Sequence, residues 1–183
     1  VEFANKYNVP VRVLSSFEPG SGTLISLEEK DMENGLVSGI AFQKDQMKYT
    51  LHGVSDTPGI AYSILGPLSD ANIEVDVIVQ NISVDGKTDF TFTVSKEDEH
   101  ATSEVIKQMK NSLDFDDVIV DSQIAKVSLV GVGMRTHAGI ASTAFKALSE
   151  NDVNIQMIST SEIKITIVIN ESAVTKAVKA LHE

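Results

Sequence analysis

The chain has 183 residues, 42% hydrophobic and 22% charged, which allows one large or two small globular domains with a buried core. Its formal net charge of −11 at pH 7 argues against a nucleic-acid partner, because binding to a phosphate backbone needs a basic surface. The absence of cysteine excludes disulfides and cysteine-ligated metals and fits a cytoplasmic protein. No apolar run reaches the roughly 18–20 residues that span a bilayer, so no membrane partner is expected.

The first 35 residues differ in pattern from the rest of the chain. "VPVRVLSSF" (9–17) predicts a short buried strand, and "EPGSGTLIS" (18–26) predicts a Pro/Gly turn followed by another short apolar run. We interpret residues 1–35 as a tail that connects to a segment upstream. The chain begins with Val1 rather than Met, so we expect it to be a piece of a longer protein or a processed or trimmed product.

Residues 46–122 predict six elements in the order strand, helix, strand, strand, helix, strand. Apolar alternation marks the strands and apolar residues at helical spacing mark the helices: strands 47–52, 73–79, 90–94 and 117–123, and helices 60–68 and 105–113. Pro67 has no N–H and predicts a kink or a tightened last turn in the first helix. Asp85-Gly86 predicts a turn. This βαββαβ order is that of a ferredoxin-like unit.

The same pattern begins again after an offset of 80 residues (139 − 59). The offset aligns six identical pairs, namely Gly59, Ile60, Ala61, Leu68, Ser69 and Ile78 with Gly139, Ile140, Ala141, Leu148, Ser149 and Ile158. The second unit predicts strands 127–132, 153–159 and 165–169 and helices 140–148 and 174–181. The sequence therefore predicts an α+β fold of two tandem ferredoxin-like units.

The second unit has no fourth strand before the chain ends at Glu183, while "LVSGIAF" (36–42) is a strand without a partner. We interpret 36–42 as the missing strand, so that the first unit (46–122) is inserted within the second (36–45 plus 123–183). The alternative is a fourth strand beyond residue 183.

"SDTPGIA" (55–61) and "RTHAGIA" (135–141) are candidate binding turns. Each lies between a strand and a helix, where unpaired N–H groups and a partial positive charge favour a carboxylate, and glycine allows close approach. The alternative is that Asp56 and Thr57 only cap the helix. His137 flanks the second turn, and a surface role is the favoured interpretation.

Polar residues also end the second strand of each unit, in "VQNIS" (79–83) and "STSEI" (159–163), where they are either ligands or ordinary strand ends. Glu74 and Asp76 are interpreted as a solvated or interface face rather than an acid/base pair. The four histidines have no metal-ligand spacing, so no metal is assigned. Phe90 and Phe92 are interpreted as core residues rather than as an RNA-stacking platform.

Taken together, these motifs resemble the paired ACT domains of bacterial aspartokinase. The resemblance rests on "VSDTPGIAYSILGPLSDANIEVDVIVQNIS", on "VSLVGVGMRTHAGIASTAFKALSENDVNIQMISTSEIKITIVI" and on "VPVRVLSSFEPGSGTLI", which is similar to the end of the kinase domain and its linker. It covers nearly the whole chain. It implies a regulatory part, either a C-terminal half or a separate β subunit.

The resemblance implies that this part binds threonine, lysine or both and transmits feedback inhibition to an enzyme that phosphorylates aspartate. The kinase catalytic residues, with ATP and Mg, would lie upstream, so the chain is expected to hold no cofactor and to catalyse nothing alone. The inserted arrangement also agrees with the family. The implied partners are the catalytic domain or α subunit and a second copy of the chain.

Carried over by position, the resemblance implies an effector site in each unit, completed across a dimer interface between the first unit of one chain and the second of its partner. Its residues are Asp56, Gly59, Ile60, Ala61, Gln80 and Asn81 in the first unit, and Ile140, Ala141, Asn154, Ile155, Thr160, Ser161 and Glu162 in the second. The second turn lacks a residue like Asp56 and has Ala138 where the family often has proline. We therefore expect two unequal sites.

Two other functions remain open at this point. One is an ACT pair that serves another amino-acid enzyme or a transcriptional regulator. The other is a free-standing acylphosphatase-type hydrolase, which would need a catalytic Arg/Asn pair; Arg12 and Arg135 are the only arginines.

Overall fold

The computed structural model describes residues 1–25, 37–82, 86–131 and 139–182. The elements in chain order are α1 (Glu2–Lys6), β1 (Val11–Val13), β2 (Thr23–Ile25), β3 (Gly39–Ser55), α2 (Ile60–Asp70), β4 (Ile78–Ile82), β5 (Lys87–Ser95), α3 (Glu99–Met109), β6 (Asp117–Val130), α4 (Ile140–Glu150), β7 (Ile155–Thr160), β8 (Lys164–Asn170) and α5 (Val174–His182). Single 3₁₀ turns at Lys96–Asp98 and Glu171–Ala173 precede α3 and α5.

Six strands form one antiparallel sheet in the order β4-β5-β3-β6-β8-β7, and its two central strands are shared. The later part of β3 pairs with the earlier part of β6 (Tyr49 with Val120) beside β5, whereas the earlier part of β3 pairs with the later part of β6 (Phe42 with Val127) beside β8. Each half thus has four strands in ferredoxin-like order. Unit 1 denotes the half with β4, β5, α2 and α3, and unit 2 the half with β7, β8, α4 and α5.

The two central strands are longer than the sequence predicts. Separate strands were expected at 36–42 and 47–52, and at 117–123 and 127–132, but the structure joins each pair into one strand of 17 or 14 residues. No proline or glycine interrupts 43–46, so β3 bends there, with a register shift and a positive φ at Asp45, instead of ending. Leu36 and Val132 lie outside the described residues.

The segment expected to complete unit 2 pairs with β6 from Gly39 to Gln43, next to β8. The domain limits at 1–35, 46–122, and 36–45 plus 123–183 remain a prediction.

The prediction of a second strand over 73–79 is wrong for the first part of that range. Regular pairing begins only at Ile78, although the Asp76 N–H donates to the Thr93 carbonyl (3.1 Å) and the Thr93 N–H to the Val77 carbonyl (3.1 Å). Pro67 lies inside α2, which continues to Asp70 and closes with a tight bond from the Asn72 N–H to the Ser69 carbonyl (2.9 Å). Helix α4 has no proline and ends in the same way, with the Asp152 N–H donating to the Ser149 carbonyl (3.0 Å), so the expected effect of Pro67 stays a prediction.

The N-terminal segment does not contain the buried strand that was expected. Within the described ranges, β1 and β2 pair only with each other (Val11 with Ile25), and most of their residues are exposed. Two strands alone cannot cover their own apolar side chains. Phe17, at 96% exposure, is the extreme case.

Each unit has its own core between its helices and its part of the sheet. Tyr49, Phe90 and Phe92 are at most 1% exposed in unit 1, and the Tyr49 and Phe92 rings stack with centroids 5.7 Å apart, which confirms Phe90 and Phe92 as core residues. The core of unit 2 is aliphatic and includes Val127, Leu148 and the isoleucines of β8.

Two strands of unit 2 are buried on both faces. Ala125, Val127 and Leu129 of β6 face the helices, yet the alternate residues Ile124, Lys126 and Ser128 are also buried, as are Thr166 and Val168 of β8. Contacts from Lys126 to Asp76 and from Lys48 to Gln156 show that unit 1 approaches this second face. The sheet therefore curls until its helix-free faces meet.

Replacing Ile64 of α2 by alanine should lower the free energy of unfolding by about 2–5 kcal/mol, because the side chain is fully buried and leaves a cavity. The control is Tyr62→Ala on the same helix, where the side chain is 81% exposed and a change within about 0.5 kcal/mol is expected. Denaturant unfolding measures both. Equal losses would contradict the assignment of α2's buried face.

Candidate functional site

The first candidate binding turn connects β3 to α2. Gly59 stands at the start of α2 with φ +93°, in the left-handed region that glycine adopts without strain, and no side chain that the structure describes caps the helix. The idea that Asp56 and Thr57 serve as helix caps is therefore wrong. Ile60 packs into the unit 1 core and Ala61 lies against it, which anchors the turn.

Asp56 is held at the sheet edge beside β4. Its N–H donates to the Gly86 carbonyl (2.8 Å), and its Oδ1 lies 3.5 Å from the Gln80 Nε2. Both side chains are exposed. The structure thus brings together Asp56 and Gln80, 24 positions apart in the chain. The side chain of Asn81 is exposed next to Gln80, while its carbonyl accepts a hydrogen bond from Thr88.

A β-bulge lies immediately before this turn. Gly53 has φ +68° at a register shift between Leu51 and Val54, and its N–H donates to Asp89 Oδ1 (3.0 Å), which also lies 2.5 Å from His52 Nδ1. On the other side, the Asp116 N–H donates to the His52 carbonyl (2.8 Å). The Asp89 side chain on one side and the Asp116 backbone N–H on the other thus set the position of the bulge.

An ion pair reinforces the bulge. Lys87 Nζ donates to both carboxylate oxygens of Asp116, at 2.7 and 2.9 Å. This hydrogen bond lowers the pKa of Asp116 below its ordinary value and raises the pKa of Lys87, so both groups stay charged at neutral pH.

The corresponding turn of unit 2 begins α4. Gly139 has φ +103°, no side chain among the described residues caps α4, and Ile140 and Ala141 pack against the unit 2 core. Residues 132–138, which include His137 and Ala138, lie outside the described residues.

The remaining candidates of unit 2 lie along β7. Asn154 is exposed just before the strand, and Ile155, its first residue, packs partly against the core. Thr160, Ser161 and Glu162 are exposed at its other end, where the Ser161 N–H donates to the Lys164 carbonyl (2.7 Å) in the turn to β8. The predicted residues of unit 2 therefore divide between the two ends of β7.

A cleft of about 320 Å³ lies between the units where the two sheet edges approach. Its lining consists of Asp76, Val77, Ile78, Ser159, Thr160, Ser161, Lys164 and Thr166. Thr160 and Ser161 were expected in a site and Ser159 belongs to the candidate strand end 159–163, whereas Asp76, Lys164 and Thr166 were not expected in a site. Asp76 had been interpreted as part of a solvated or interface face, and it lies at an interface. No local sequence signal identifies Asp76, since its approach to unit 2 depends on the curl of the sheet.

The described residues include no group of three or more His, Cys, Asp or Glu side chains placed to hold a metal ion. Within those same residues, no helix is long and apolar enough to cross a membrane.

The fold and these turns define a protein built from a pair of ACT domains, and family models of the ACT domain match residues 50–114 and 127–183. Over the whole chain, identity is 56% to an aspartate kinase of Pseudomonas fluorescens and 56% to an aspartokinase of Pseudomonas aeruginosa. The chain spans 44% and 45% of those two relatives.

Comparison with solved structures points to the same family. A structure of aspartokinase alpha and beta subunits matches with 47% identity and a TM-score of 0.74 over 80% of this chain and 96% of that one. The ligand-free regulatory subunit of aspartate kinase from Thermus thermophilus matches with 31% identity and a TM-score of 0.76, over 81% and 97%. The chain belongs to the aspartokinase family and is the regulatory part of such an enzyme. These relatives favour that assignment over another amino-acid enzyme, a transcriptional regulator or a hydrolase.

Replacing Gly53 by alanine should lower the free energy of unfolding by about 1–3 kcal/mol, since a non-glycine residue is strained at this φ. Its Cβ would also lie 2.0 Å from Asp116 Oδ2. Gly39→Ala, in the same strand, is the control, because a Cβ there meets nothing within 4 Å. Thermal unfolding of both variants measures the difference, and a Gly53→Ala protein as stable as Gly39→Ala would contradict the role of the bulge.

Proposed function

We propose that this chain senses an end-product amino acid, threonine, lysine or both, and transmits feedback inhibition to the catalytic part of an aspartokinase, which phosphorylates aspartate with ATP and Mg. The effector residues would be those expected from the sequence in both units. Family membership supports the regulatory role.

The observation that carries the proposal is the contact between Asp56 and Gln80 beside the uncapped start of α2. The N–H groups at a helix start favour an α-carboxylate. Gly59 has no Cβ to obstruct the ligand, and the Asp56 carboxylate offers an acceptor to the ammonium group. An amino acid carries both charges, so the turn and its neighbours match the two ends of one small ligand.

The cleft between the units has similar chemistry. Its lining includes one carboxylate (Asp76), one ammonium group (Lys164) and hydroxyl groups such as those of Thr160 and Ser161. Its volume of about 320 Å³ falls in the roughly 300–1,000 Å³ range of small-molecule pockets. These features support the participation of Thr160 and Ser161 in a second site, to which the adjacent Glu162 would also contribute.

The two sites would differ in affinity. Asp56 has no counterpart in the second turn, where the sequence reads Thr136-His137-Ala138 before Gly139. We propose that the first site binds effector more tightly, and that both are completed in a cytoplasmic homodimer by the opposite unit of the partner chain. An effector shifts the kinase between states only by its difference in affinity for them.

Gln80→Ala should weaken threonine or lysine binding about tenfold or more, since a hydrogen bond to a charged group contributes about 1.5–3 kcal/mol. The control is Gln108→Ala, an exposed glutamine on α3, which should leave binding unchanged. Calorimetric titration of the complete protein with each amino acid measures both variants.

The two variants should have the same thermal unfolding temperature, since both glutamines are exposed. Unchanged affinity in Gln80→Ala would remove that residue from the site. If neither amino acid bound the unmodified protein, the sensing proposal would be wrong.

A further inference from the structure

Lys126 is the single charged residue that is buried among the described residues. Its side chain is 5% exposed, and it extends from β6 on the face opposite the unit 2 core, since its neighbours Ala125 and Val127 belong to that core. A buried ammonium group is costly unless it is paired. Its Nζ meets Oδ2 of Asp76, which belongs to unit 1.

The sequence repeat places a second lysine contact between the units. Here the lysine belongs to unit 1 and its partner to unit 2. Lys48 precedes Lys126 by 78 positions (126 − 48), the offset that also aligns the buried Met47, Tyr49 and Leu51 with Ala125, Val127 and Leu129. Lys48 Nζ lies 2.5 Å from Oε1 of Gln156, the residue that the 80-position offset aligns with Asp76. Each unit thus extends one lysine to the same position of the other, as in an isologous contact.

The two contacts differ in charge and burial. Asp76 is a carboxylate and its lysine is 5% exposed, whereas Gln156 is a neutral amide and Lys48 is 18% exposed. Lys48 also has the carboxylate of Asp121 at 3.7 Å. The Asp76 side chain is itself 45% exposed, so the contrast rests on the buried lysine and on the charge of its partner. A charge-assisted hydrogen bond to a carboxylate is stronger than one to a neutral amide.

The stronger contact lies at the rim of the cleft, because Asp76 is also a lining residue there. Residues of unit 2 form the opposite wall, among them Ser159 and Thr166. The position of Asp76 therefore affects the width of the cleft.

We propose that Lys126 and Lys48 are positioning residues that hold the two units face to face, with unequal strength. The Lys126–Asp76 contact fixes the width of the cleft. The weaker Lys48–Gln156 contact lies on the side where the units separate. The proposal goes beyond amino-acid sensing and does not depend on which ligand occupies the cleft.

The test is hydrogen exchange on the complete protein with Lys126→Met and Lys48→Met, which keep an apolar chain and remove the ammonium group. Lys126→Met should speed exchange in peptides 73–82 and 155–160 by about tenfold while α3 and α5 stay unchanged. Lys48→Met should change the same peptides less than about threefold. Equal effects of the two variants, or a uniform increase in all elements, would overturn the proposal.

Two surface variants keep the test decisive if Lys126→Met does not fold. Asp76→Asn should reproduce the faster exchange of peptide 155–160, and no change there would overturn the proposal. Gln156→Glu should slow exchange in β7, since it offers Lys48 a carboxylate, but not in a protein that also carries Lys48→Met. Slowing that persists in the double variant would show that the glutamate acts without Lys48 and would contradict the assigned contact.

Discussion

The pairing of β3 with β6 is the constraint on which the rest of the structure depends. Each strand belongs to both ferredoxin-like units, so neither unit completes its four strands without the other. The bend at Gln43–Gln46 lets one sheet serve two helix-covered halves that curl toward each other. Because the ladder is continuous, a displacement in one unit is transmitted along shared backbone as well as through side-chain contacts.

The two units share these strands, and some of their repeated features are equal while others differ. Gly59 and Gly139 have the same backbone form, with φ of +93° and +103°, and no side chain in the described part of the chain caps either helix. The side chains around them have diverged, since Asp56 has no equivalent and Asp76 is replaced by Gln156. A regulator with two similar backbones and different side chains around them can bind two ligands, or one ligand with two affinities.

Much of the fold was predictable from the sequence, because alternation and helical spacing are local signals. The order of elements, the helix starts at Ile60 and Ile140 and the duplication all follow from them. The fusion of strands in β3 and β6 was not predictable, since polar residues 43–46 are compatible with either a loop or a bent strand. The cleft also escaped prediction: it depends on the curl of the sheet, which brings Asp76 to Lys126 across 50 positions. The contact of Asp56 with Gln80 was expected, because the resemblance placed both in one site.

The central claim is that amino-acid binding at the strand ends and helix starts of this chain regulates an aspartokinase. The most direct measurement is differential hydrogen exchange of the complete enzyme with and without threonine or lysine. The account predicts protection of the backbone around residues 56–61, 78–82 and 154–162 at amino-acid concentrations that inhibit the kinase. Inhibition with protection confined to the catalytic part, and none in this chain, would contradict it.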